Sequence, residues 1–72
     1  MIILAIVKTD ADAEKVVSEI KSANKGLAEV KIDYHNNLRT FEISYPENIC
    51  FEEIKKRLVL CNGLATFFEF SS

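Results

Sequence analysis

The chain predicts an α+β sandwich, a four-stranded antiparallel sheet with two helices on one face, and three observations carry that expectation. Apolar residues switch between a period of two and a period near 3.6, in the order strand, helix, strand, strand, helix, strand. Both helical stretches run into a glycine, Gly26 or Gly63, just before a strand. A doubled asparagine, Asn36-Asn37, separates the second and third strand patterns. With 72 residues the chain has room for one domain, 1–72, and no separate catalytic and regulatory units.

Ile2-Ile3-Leu4-Ala5-Ile6-Val7 is a continuous apolar run rich in β-branched residues, which predicts a central strand buried on both faces. Thr9, Asp10, Ala11 and Asp12 supply N-cap candidates and acidic first-turn residues. Val16, Val17, Ile20 and Ala23 then recur at helical spacing until Lys25-Gly26. Ala28, Val30, Ile32 and Tyr34 alternate with charged residues, and Phe41, Ile43 and Tyr45 alternate with Thr40, Glu42 and Ser44. If Asn36-Asn37 fills a two-residue turn, His35 faces Leu38, Val30 faces Ile43, Ile32 faces Phe41 and Lys31 faces Glu42. Apolar and opposite-charge pairs both follow from that one assumption, and it places Phe41 and Tyr45 on the helix-packed side.

Pro46 stops the third strand, and Asn48 is a candidate cap for the second helix. Phe51, Ile54, Leu58 and Cys61 form its apolar stripe, with Glu52-Glu53 early and Lys55-Lys56-Arg57 late, which suits the helix dipole. In the last strand Leu64, Thr66, Phe68 and Phe70 share one side, and Ala65, Phe67 and Glu69 the other. Right-handed crossovers then give a ferredoxin-like βαββαβ sandwich with strands one and three in the middle.

Several functions are disfavoured by the same residues. Nine Lys and Arg against eleven Asp and Glu give a formal charge of −2, so nothing draws the chain to a phosphate backbone, and no nucleic-acid partner is expected. The longest apolar run, Ile2 to Val7, is far short of the roughly 20 residues a spanning helix needs, so no membrane association and a cytoplasmic location are expected. Cys50 and Cys61 bracket a helix and should stand roughly 16 Å apart, too far to bridge. His35 is the single histidine and sits beside the hairpin turn as a solvated residue. No base, nucleophile and orienting group occur together, so neither catalysis nor a cofactor is expected.

The stretch 26–33, with its Gly-apolar-x-x-Val-x-Ile opening, then 40–46, 51–58 and Gly63, resembles the heavy-metal-associated domain of copper chaperones and metal-pumping ATPases. The resemblance spans nearly the whole chain and implies a ferredoxin-like scaffold. In that family a Met-x-Cys-x-x-Cys loop between the first strand and first helix holds a soft ion on two thiolates. Those positions correspond here to Asp10 and Ala13, so the resemblance implies the shape without the soft-metal site.

Two function classes follow, with a third behind them. The first is a non-catalytic interaction module. It would use the open sheet face, where Glu29, Lys31, Asp33, Thr40, Glu42 and Ser44 form a polar half and Ala65 and Phe67 help form an apolar half, or else an edge strand, to hold a protein partner or a second copy. The second is weak binding of a hard or borderline ion by Asp10, Asp12 and Thr9. The third is a small-molecule-sensing regulatory domain acting as a dimer.

Overall fold

The computed structural model describes residues 1–27, 29–35 and 39–70; the Asn36-Asn37 turn, Ala28 and the His35–Leu38 pairing lie outside them, as does the His35 side chain. The elements are β1 (Ile2–Val7), α1 (Ala13–Ala23), β2 (Lys31–His35), β3 (Thr40–Ser44), α2 (Phe51–Leu58) and β4 (Leu64–Phe70). All strand pairs are antiparallel, in the order β2-β3-β1-β4, so β1 and β3 are central as the ferredoxin-like expectation requires.

One face of the sheet builds the core. Ile3, Ala5 and Val7 of β1 and Phe41 and Ile43 of β3 are buried against Val16 and Ile20 of α1 and Ile54 and Leu58 of α2. β1 is therefore fully buried on one face only, against the expectation of two: Ile2, Leu4 and Ile6, pointing the other way, are half-buried, because neither α1 nor α2 covers that side. Arg57 ties the helices together by donating from Nη1 to the Ala23 carbonyl at 3.1 Å.

Of the cap candidates before α1, Asp12 does the capping, its carboxylate accepting from the Glu14 N–H at 3.0 Å. Asn24 closes that helix and stays buried by making two bonds. Its Nδ2 donates to the Ile20 carbonyl at 2.8 Å, and its Oδ1 accepts from the Tyr45 hydroxyl at 2.8 Å. Gly26 follows at φ +96, where a side chain would be strained.

Four further sequence expectations need correction. The cap position of α2 is Cys50, with no side-chain cap bond, while Asn48 is exposed in the preceding turn. α2 ends at Leu58, so Gly63 is no helix cap. A Cβ there would lie 2.3 Å from Val16 Cγ2, and its N–H donates to Glu19 Oε1 at 3.2 Å, so Gly63 lets the chain approach α1. The β2–β3 register pairs Ile32 with Ile43, Asp33 with Glu42, Tyr34 with Phe41 and His35 with Thr40, leaving four residues between the paired ends where the sequence suggested two. Arg39, at φ +50, belongs to this connection because its carbonyl accepts from the Val7 N–H at 2.8 Å.

The fourth correction concerns β4. Ile6 pairs with Thr66 but Val7 pairs with Leu64, so Ala65 is an extra residue that β1 does not match, a β-bulge. The bulge resets the alternation. Leu64 faces the helices opposite Val7, and Phe67 does so too, opposite fully buried Ala5 and packed on the core. Thr66, Phe68 and Phe70 face the open side.

Candidate functional site: the open sheet face

Strand register fixes what the uncovered face displays, since residues opposite one another in a ladder point the same way. One row runs Lys31, Ser44, Ile2, Phe70 across β2, β3, β1 and β4; the next runs Asp33, Glu42, Leu4, Phe68. A third holds Thr40, Ile6 and Thr66. The β2–β3 half is polar and the β1–β4 half apolar, with the boundary between the two central strands.

The apolar half is open to solvent at its edge. Phe68 is 45% and Phe70 48% exposed, and Ile2, Leu4 and Ile6 beside them are half-buried. At about 200 Å² per phenylalanine side chain, the two rings leave somewhat under 200 Å² of aromatic surface in water. Covering it is worth roughly 4–5 kcal/mol before the costs of association. The apolar column is bordered by the charges of Lys31, Asp33 and Glu42.

The sequence-derived site residues distribute unevenly over this face. Lys31 and Glu42 lie on its polar half but do not face each other; Lys31 is opposite Ser44, and Glu42 sits between Asp33 and Leu4. Ala65 is exposed at the bulge, and Phe67 points to the helix side. The aromatic residues that do occupy the open face, Phe68 and Phe70, fall on the opposite side of the strand from Phe67, and alternation counted straight through the bulge exchanges the two sides. The only sequence-level hint of it is Ala65, a small residue near the strand's start.

The loop between β1 and α1 holds the other candidates. Thr9 and Asp10 are exposed, and the Asp12 carboxylate is engaged as the helix cap. Arg39 reaches this loop from the β2–β3 connection, its Nη2 donating to the Lys8 carbonyl at 2.8 Å and to the Ala11 carbonyl. Two backbone oxygens that could face an ion are thereby held by a guanidinium. Among the described residues, no group of three or more His, Cys, Asp or Glu is placed to hold a metal. Sequence reasoning missed Arg39, a single basic residue whose partners lie 28 and 31 positions earlier.

Other chemistry-bearing groups stand apart. Cys50 is exposed, whereas Cys61 is buried and its thiol is pushed above the ordinary range, chiefly by burial and then by the Glu19 carboxylate. Burial raises the Tyr45 phenol to about 12, against the lowering effect of its Asn24 hydrogen bond. A second apolar patch, Val59 and Leu60, lies past the end of α2, with Leu60 beside Ser18, Ser22 and Ala23 of α1. Among the described residues no helix is long and apolar enough to cross a membrane. Comparison with protein-family models, curated proteins and solved structures finds no match to this chain.

Proposed function

We propose that the domain is a small non-catalytic binding module that engages a protein partner through its open sheet face. The observation that carries this reading is the column of Ile2, Leu4, Ile6, Phe68 and Phe70 beside the polar column of Lys31, Asp33, Glu42 and Ser44. Phe68 and Phe70 anchor the contact and the charges set its orientation. The scaffold is that of a heavy-metal-associated domain whose ion-binding loop serves structure instead. Two facts support this: Asp12 is used as a cap, and the Arg39 cation sits on the Lys8 and Ala11 carbonyls, where it opposes a second positive charge. A cytoplasmic setting belongs to the same reading, supported by two free thiols, one of them exposed.

Affinity capture from lysate, scored across variants, tests it. Phe68→Glu with Phe70→Glu should abolish capture of the specific partner, while Leu60→Glu, on the other apolar patch, should leave it intact. An unchanged capture profile from the open-face variant contradicts the proposal.

A further inference from the structure

We infer that β4 is where two copies of this chain join, edge to edge, into a continuous eight-stranded sheet. Hydrogen bonding shows which backbone groups are available. The Val7 N–H donates to the Arg39 carbonyl and the Met1 carbonyl accepts from the Tyr45 N–H, so odd-numbered residues of β1 turn their backbone groups toward β3. Even-numbered ones turn toward β4, where they face Thr66, Phe68 and Phe70. The N–H and C=O groups of Phe67 and Glu69 therefore point away from the sheet. Among the described residues no strand lies beyond them.

The two sheet edges differ in how they are guarded. β2 is five residues long and carries Lys31 and Asp33, the kind of charge that discourages strand addition. β4 is the longest strand at seven residues, contains three phenylalanines and no proline, and has Glu69 as its one charge. Its irregularity is confined to the bulge at Ala65, which leaves 66–70 in regular register with β1.

Symmetry and charge then narrow the pairing, since an axis at Phe67 or at Phe68 keeps the two Glu69 carboxylates apart. A two-fold axis normal to the sheet preserves each residue's face, so antiparallel partners must differ by an even number of positions. Centred on Phe67, the axis sets Phe67 against its own mate, Phe68 against Thr66 and Glu69 against Ala65. Phe67 and Glu69 then use their outward backbone groups, and the two half-buried Phe67 rings meet across the axis. Centring on Glu69 would oppose two carboxylates. A second copy fits this edge because it brings the same aromatic strand with its single charge out of register. The joined sheet would also set the Phe68 and Phe70 columns of both copies side by side. The inference uses the backbone edge, and it stands or falls separately from partner binding on the open face.

Amide exchange measured at about 10 µM and about 1 mM, a range that brackets the affinity of a small interface, tests it alongside sedimentation. At the higher concentration the chain should sediment as a dimer. Protection of the Phe67 and Glu69 amides should rise about tenfold or more, while the Phe68 amide, already bonded to β1, should not change. Glu69→Pro removes an N–H that turns away from β1 and meets no strand among the described residues, so that variant should keep its circular dichroism and remain a monomer. A wild-type monomer at both concentrations overturns the inference. So does a dimer whose Phe67 and Glu69 amides exchange equally fast at both. If Glu69→Pro fails to fold, the wild-type amides decide alone.

Discussion

Replacing Phe67 and Phe68 by glutamate, one at a time, separates the two faces of β4. Phe67 packs on the core opposite fully buried Ala5, so most of a side chain of about 200 Å² leaves water on folding. Losing that contact is worth roughly 2–3 kcal/mol, and a carboxylate aimed at the helix-covered side adds about 1–2 kcal/mol. Phe68 is already 45% exposed on the uncovered face, and a glutamate there keeps its charge in solvent. Its loss should cost about 1–2 kcal/mol. A 72-residue domain has roughly 4–11 kcal/mol of stability in total. The difference of about 2 kcal/mol should separate the two melting temperatures by about 8 °C or more. Urea and thermal melts followed by circular dichroism give both numbers. If Phe68→Glu proves as damaging as Phe67→Glu, or more so, the bulge and the face assignment built on it are wrong.

Three more outcomes follow from the packing. Gly63→Ala should cost about 1–3 kcal/mol, because its Cβ would overlap Val16 Cγ2, and in a Val16→Ala background most of that cost should vanish in a double-mutant cycle. Burial pushes the Tyr45 phenol up to about 12 in the folded chain from an ordinary 10.0, so the stability it contributes is fully present below pH 10 and lost as pH rises toward 12. That amounts to roughly 2–3 kcal/mol, read as the difference between wild type and Tyr45→Phe in alkaline melts. With a thiol-specific disulfide reagent Cys50 should react at once in the native chain, and Cys61, buried and with its thiol raised, only as the chain opens.

How much of this was legible in the sequence depended on whether a local pattern had one reading or two. Strand β1 and its central position followed from six apolar residues in a row, and the polar alternation of β3 placed Phe41 and Tyr45 toward the helices, where both are buried. The hairpin register did not follow. A shift of two residues keeps every side chain on the same face, so Ile32 opposite Ile43 satisfies the pattern as well as Ile32 opposite Phe41. What selects between them is Arg39, drawn into the connection by bonds to Val7, Lys8 and Ala11. In β4 a different ambiguity operated. With apolar residues on both sides of Leu64–Phe70, no polar position marks the slip at Ala65, and the open face was furnished with the wrong phenylalanine. Gly63 read as a helix stop because its real constraint, the approach of Val16, comes from 47 positions earlier (63 − 16).

On the proposed reading, the uncovered sheet face, through Phe68 and Phe70, is what this domain presents to a protein partner. Carbene footprinting of the free domain and of the captured complex tests it directly, because both exposed apolar patches are scored in one experiment. Labelling of Leu4, Phe68 and Phe70 should fall in the complex while Val59 and Leu60 stay as reactive as in the free chain. Protection of Val59 and Leu60 with the open face still fully labelled would contradict the account.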